Sequence, residues 1–402
     1  MLNPFLLMAV FYLVIAILAA LDATFTSFNL IGNFIGLPWL RVHFITLGVL
    51  TETSFGVLPA FVAARRDTTA PAVRWDIWFL LNAGIVLLLA GMTSLNAPLI
   101  ITGGTLVFSA VLLLIAQLRS LGGKQAPGSG SRQFYLAGLF YLLIGILIGT
   151  GYWIGWSETL HIGVPKEAHI HANSWGFASL VFAGLLIDLL PSLTGKPLAD
   201  HRKLNLIFWA MTLGALGLVL GPWLGGNLVV TAPGLVLHIG ATVALLILSA
   251  RGLHAQKLYT AAGAWHLTLS YAWILLPVML APFILLHIGN LPGTDIEATA
   301  PQALVYGWMG QFLFALLPYL VARWLLRDRA ARLGGNWFSL ITVNLGALLI
   351  WASILLPALR TPLHAASYVL LGAALLAAIR ETVVITLAAL RRAEQSLVVP
   401  PL

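Results

Sequence analysis

The 402-residue chain is 60% hydrophobic and only 8% charged, with a mean hydropathy of +0.97. A water-soluble domain of this size needs about a quarter of its residues charged to cover its surface, so the composition excludes a soluble globular fold and calls for lipid as the solvent. The absence of cysteine excludes disulfides, thiolate metal sites, iron–sulfur ligation and cysteine nucleophiles.

Inside lipid, every backbone polar group must be satisfied within its own segment or across a closed sheet. The apolar runs here have the length that crosses a hydrocarbon core of about 30 Å as a helix, and they lack the alternation of barrel strands. In chain order they predict twelve transmembrane helices at 4–21, 41–63, 75–92, 98–117, 133–154, 168–190, 204–223, 228–249, 259–287, 302–325, 338–357 and 366–389. The first run has no basic n-region and no small-residue cleavage site, so it reads as a span rather than a secretory signal. Seventeen of the 21 lysines and arginines follow even-numbered spans, and only Arg41, Lys166 and Arg360 fall on the other side. Positive loops stay in the cytoplasm. The formal charge of +8 therefore reads as topology and not as a nucleic-acid footprint, with both termini cytoplasmic in a prokaryotic plasma membrane.

Residues 119–132, RSLGGKQAPGSGSR, read as a flexible Gly/Ser-rich linker. It divides the chain into a first four-helix unit, 1–118, and two further units at 133–257 and 258–402. The first span, FLLMAVFYLVIAIL from Phe5, agrees with FYLAGLFYLLIGIL from Phe134 at eight of fourteen positions. Gly48, Gly176 and Gly307 then align on spans two, six and ten, each five residues after His43, His171 and Gln302, and each span ends near a proline (Pro59, Pro191, Pro318). A period of about 130 residues predicts three pseudo-symmetric four-helix repeats, an all-α integral membrane fold with a site near the axis or at unit interfaces.

The candidate chemistry lies in the histidines. His201 and His254 fall in basic loops and read as solvated; His364 and His287 lie at external helix ends. His43, His169 and His171 lie near the external ends of spans two and six. Imidazole at that depth needs water, a neighbouring helix or a metal, and a repeat that superposes His43 on His171 favours a ligand role. In the His169-Ile170-His171 segment the two rings project about 200° apart on a helix, so one helix can serve two partners. Neutral imidazole suits haem iron and copper. His238, midway along span eight, and His266, in span nine, admit two readings, a buried histidine bonded to neighbouring backbone or a ligand. Among the acidic residues, Glu52 is the deepest and is a proton-relay candidate. Asp188 reads as solvated at a cytoplasmic helix end, Asp22 lies within a span, and Arg380 and Glu381 require partners on other helices.

Three four-helix units with histidines near the outer ends of even-numbered helices resemble the catalytic subunit of haem–copper oxidases and nitric oxide reductases. EAHIHANSWGFASLVFAGLLIDLLP resembles the second-helix haem-ligand segment of distant members. AWHLTLSYAWILLPVMLAP with PQALVYGWMGQF is similar to helices nine and ten of the NnrS family, haem- and copper-containing membrane proteins tied to nitric oxide stress. His43 stands where both families carry a second-helix histidine. The departures are as informative: span seven has no histidine, and span ten carries Gln302 and Tyr306 in place of a His-x-His pair, so an oxidase-type dinuclear centre does not carry over. The resemblance implies a haem–copper-oxidase-like bundle with a reduced or rearranged cofactor set. His43 with His171 or His169 would hold a haem near the external face, and a spare histidine a second haem or copper. His43, His169, His171 and His266 are thus the cofactor-binding candidates, and His43, His169, His171 and His238 the metal-ligand candidates. The expected role is electron transfer or oxygen or nitric oxide chemistry. With no CxxCH attachment site in the chain, electrons would come from a donor protein or a quinol. A secondary transporter or metal-handling carrier, built around Glu52 and Asp188, and a non-catalytic membrane scaffold are the competing readings.

Overall fold

The computed structural model describes residues 3–28, 30–32, 36–65, 69, 71–121, 130–285, 291–328 and 330–398. No strand occurs among them. Residues 122–129 of the expected linker and His287 lie outside the described residues. In chain order the helices are α1 (Pro4–Ser27), α2 (Trp39–Ala64), α3 (Trp75–Ser94), α4 (Ala97–Ser120), α5 (Ser131–Trp153), α6 (Pro165–Thr194), α7 (His201–Trp223), α8 (Leu228–Ala255), α9 (Ala262–Leu269), α10 (Ala272–Leu285), α11 (Gly293–Leu325), α12 (Trp337–Leu355) and α13 (Pro357–Gln395). Eleven of these, all but α9 and α10, are long and apolar enough to cross a bilayer. The chain is a multi-pass, all-helical membrane protein.

The expected continuous span at 259–287 is instead two helices. After Leu269 the backbone tightens, with Tyr271 N–H reaching Thr268 O at 3.3 Å and Trp273 N–H reaching Ser270 O at 3.1 Å. A three-residue step of this kind ends one α-helix and starts another on a new axis.

Polar side chains start the helices as the end-group rule demands, because the first N–H groups of a helix have no internal acceptor. Asn3 Oδ1 accepts Phe5 and Leu6 N–H, Asn96 accepts Leu99 N–H, Asp200 accepts Lys203 N–H, and Asn336 and Ser339 form a reciprocal capping box at α12. Asn3 also donates to Gly56 O at 2.7 Å, tying the start of α1 to α2.

By contacts the chain forms two compact units, one of Met1–Gly56 with Leu258–Leu402 and the other Val57–Lys257. Lipid tails are as apolar as leucine, so helix pairs in a membrane are held by close backbone approach and hydrogen bonds rather than by water exclusion. Small residues supply that approach. In the Val57–Lys257 unit, α3 meets α4 at Gly84 and Gly103, where an added Cβ at either would lie 2.8–2.9 Å from the other's carbonyl oxygen. In the same unit α7 meets α8 through Gly214, Gly217 and Gly234, with Gly217 2.8 Å from the Gly234 Cα on the same measure. In the other unit, α12 meets α13 at Gly346, whose carbonyl accepts Ser367 Oγ–H at 2.8 Å.

Three helices are more buried than the rest: 78% of the apolar stretch of α2, 83% of α6 and all of α11, against 39–56% elsewhere. Each contains a seven-residue π-helical segment, Phe44–Leu50, Ala172–Ala178 and Leu304–Gly310. Within each lies the aligned glycine, and each faces an aromatic ring: Gly48 meets Tyr12 of α1, Gly176 meets Tyr141 of α5, and Gly307 meets Trp273 of α10. A Cβ would fall 2.7 Å from the ring at Gly48 and Gly307, and closer still at Gly176. Only a bare backbone lets the ring lie that close.

Several of the charges in and near the spans have ion-pair or hydrogen-bond partners. Arg41 binds Asp22 at 2.8 Å and its carbonyl accepts Tyr306 O–H at 3.0 Å. Glu381 accepts Gly335 N–H at 2.9 Å across from α13, closing the turn that leads into α12. Asp188 departs from its expected solvated state. Its side chain is 1% exposed, held by Arg65 Nε at 2.7 Å and by the Tyr135 hydroxyl at 2.6 Å. Its place near a helix end exposed it in the linear reading, whereas α5 and the end of α2 cover it in the fold.

Two outcomes follow from this packing. Gly176→Val should abolish the folded protein and Gly176→Ala should cost about 1–3 kcal/mol by overpacking, whereas Gly240→Ala, with nothing within 4 Å, should leave thermal unfolding in detergent unchanged or slightly raised. Arg65→Gln strands a buried carboxylate and should cost about 3 kcal/mol; adding Asp188→Asn should restore part of the loss, read as a non-additive double-mutant cycle in melting temperature.

Candidate functional site

The π-helical segments decide how the histidines are presented. Pro165 starts α6 at the first helical position, where its missing N–H costs nothing. Two turns later His169 and His171 close the α-helical stretch, and the π-helical segment begins at Ala172. His169 turns to α5: its Nδ1 lies 2.8 Å from Gly145 O, and its ring lies against Gly149, leaving no room for a Cβ there. Asn173, one turn on, donates to His169 O at 2.8 Å. His171 turns to α7, with Nδ1 2.6 Å from Leu218 O. The two rings thus serve different neighbours, in keeping with their spacing on a helix.

A carbonyl oxygen only accepts, so the His171 Nδ1 carries the hydrogen and its Nε2 is the lone-pair nitrogen, whereas the His169 Nδ1 also lies 3.3 Å from the Asn173 amide nitrogen, a donor. His43 on α2 follows the same rule: its Nδ1 lies 2.7 Å from Trp39 O, and its ring stacks on the Trp39 indole at 3.8 Å and 11°. His43 and His171 occupy the same place, the last residue before the π-helical segment. Tethering one imidazole nitrogen to a carbonyl is how metal-ligating histidines are oriented and their other nitrogen made basic. His171 makes no other hydrogen bond among the described residues, and its ring lies 6.5 Å from that of Trp175.

His238 and His266 have the opposite tautomer. His238, fully buried, lies with Nε2 3.0 Å from Trp175 O, while its Nδ1 accepts the Thr242 hydroxyl at 3.3 Å. His266 directs Nε2 to Ser339 Oγ at 3.0 Å. The Ser339 hydroxyl already donates to Asn336 O, so His266 must be the donor. Its ring fills the space beside Gly335, a residue at φ +83° where no Cβ would fit. In both residues Nε2 is spent on a structural hydrogen bond, and ligation through it would break that bond.

Glu52 is fully buried one turn beyond Gly48, within electrostatic reach of Tyr12. The corresponding position after Gly307 is Gln311, also fully buried, with neither amide atom hydrogen-bonded among the described residues. Sequence reading passed over Gln311, although its offset of four from an aligned glycine was there to be used. Trp39, Trp175 and Thr242 were likewise passed over, although each lies four residues from a histidine (His43, His171, His238), the spacing that makes helix side chains neighbours.

No family model matches the chain, and no curated protein matches it. Haem iron takes one or two axial imidazoles, a demand that His171, with its tethered Nδ1 and lone-pair Nε2, fits. Copper sites gather several ligands, and among the described residues no three His, Asp or Glu side chains converge.

The tautomers predict reactivity. Diethylpyrocarbonate attacks a lone-pair imidazole nitrogen that solvent or reagent reaches. In haem-free protein His171 should be carbethoxylated well before His238 or His266, as read by peptide mass spectrometry.

Proposed function

We propose that the chain is a haem-binding membrane protein of the haem–copper oxidase and NnrS kind, with His171 an axial ligand and His43 its counterpart on α2. The observation that carries this reading is the His171 imidazole, held by Leu218 O at Nδ1 and presenting a lone pair at Nε2. Haem held there would supply a one-electron iron couple for electron transfer or for oxygen or nitric oxide chemistry. The chain's own part is to fix the ring. Leu218 O sets the tautomer and raises the basicity of Nε2, and the Trp175 ring lies edge to face 6.5 Å away. His169, held in its slot on α5, is the spare imidazole. Electrons would come from a donor protein or a quinol.

The same reading takes the architecture as three pseudo-symmetric four-helix units, with α9 and α10 together making the twelfth crossing and both termini in the cytoplasm of a prokaryotic plasma membrane. Its support is the recurrence, at intervals of about 130 residues, of a π-helical segment, a ring-facing glycine and a proline near the helix end in α2, α6 and α11.

A second reading, secondary transport, is favoured by one observation: Glu52 and Gln311 are fully buried within two residues after π-helical segments, where interrupted helices and polar side chains often hold a transported ion or proton.

A reduced-minus-oxidised visible spectrum of detergent-purified protein, with pyridine haemochrome quantification, tests the proposal. A Soret band with sharp α-bands that weakens in His171→Ala and His43→Ala is the expected result. A featureless spectrum from protein made with adequate haem supply would overturn it, and substrate-dependent flux in proteoliposomes that survives both substitutions would install transport in its place.

A further inference from the structure

The π-helical segment of α6 creates a specific difficulty. In an α-helix the Ser179 N–H would bond Trp175 O; here it bonds Ser174 O and Gly176 O instead. Trp175 O therefore loses its α-helical donor on a helix largely buried among its neighbours, where an unsatisfied carbonyl is costly. The donor that fills the place comes from another helix. His238 Nε2 of α8 lies 3.0 Å from Trp175 O, and the two rings meet edge to face at 5.2 Å.

His238 is itself held on every side. Thr242, one turn on, donates to Nδ1 at 3.3 Å, so the hydrogen must sit on Nε2, where it is needed. The His238 backbone is pressed against α7 at Gly214, where a Cβ would fall 2.7 Å from His238 N. That same helix, one turn further on, offers Leu218 O to His171 Nδ1. His171 in turn lies four residues before Trp175 on α6, the two rings 6.5 Å apart. Thr242, His238, the Trp175 carbonyl and His171 form one chain of contacts, with α7 as the common wall.

We propose that His238 is the positioning residue of this site: its Nε2–H pins the carbonyl that the π-helical segment of α6 releases, and thereby sets the register at which His171 is presented. The assignment rests on the reading of His171 as an axial ligand, but the pinning itself does not need haem. A neutral residue that keeps an N–H donor at the same reach should serve; an apolar one of similar size should let α6 relax towards regular α-helix and rotate His171 away from Leu218 O.

The test uses the full chain in detergent, with His238→Gln, His238→Leu and Thr242→Val. In haem-free protein, amide hydrogen exchange over 172–178 should rise roughly tenfold in His238→Leu, about the worth of one hydrogen bond, with faster carbethoxylation of His171. His238→Gln should stay near wild type, and Thr242→Val should change both readouts in the same direction by less. In haem-loaded protein the α-band position and reduction potential should move in His238→Leu at unchanged haem content. Wild-type exchange and His171 reactivity in His238→Leu, or a His238→Gln variant as disturbed as His238→Leu, would overturn the assignment. If His238→Leu does not fold, an unchanged Thr242→Val would overturn it. A wild-type protein that binds no haem fails the axial-ligand reading before any variant is made, and the exchange data still decide the pinning.

Discussion

A carbonyl oxygen deprived of its helical N–H inside a bilayer has to find another donor, and α6 generates one at Trp175 by threading seven residues through a wider π turn. The neighbouring elements are arranged around that local excess. Tyr141 of α5 lies flat on Gly176 in the middle of the distorted stretch, His238 reaches across from α8 to the released oxygen, and α7 stands between them. Distortions like these are costly in lipid and persist only where such partners over-determine them.

The rest of the packing follows from the poverty of charge and the absence of water. With no hydrophobic drive between helices, small residues at α3–α4, α7–α8 and α12–α13 bring backbones into contact. The buried charges do not stand alone. Asp188 has Arg65 and Tyr135, Arg41 has Asp22, and Glu381 has the N–H of Gly335. Arg65–Asp188 ties together residues 123 apart in the chain, so that pair helps specify which helices meet.

The histidines divide by which nitrogen donates. His43 and His171 give their Nδ1 hydrogen to a carbonyl, whereas His238 and His266 give Nε2–H to the structure. One residue type thus supplies both the ligand posture and the brackets that hold it, and the difference lies entirely in the nearest acceptor. Glu52 and Gln311 add a polar pair of positions directly after two of the π-helical segments, at a depth where leucine follows the third (Leu180).

The linear chain by itself determined that this is a multi-pass helical membrane protein, where most of its long helices run and which glycines share a register. Those properties are written in hydropathy and spacing, which act locally. It did not determine the break at Ser270–Tyr271, because an apolar run from 259 to 287 has the composition of one span and only the tight turn divides it. Nor did it show that Asp188 is covered, that Gly48, Gly176 and Gly307 face Tyr12, Tyr141 and Trp273, or that His238 and His171 carry their hydrogens on different nitrogens. Burial, close approach and tautomer depend on which atoms of other helices come within about 3 Å, and only the tertiary structure decides that.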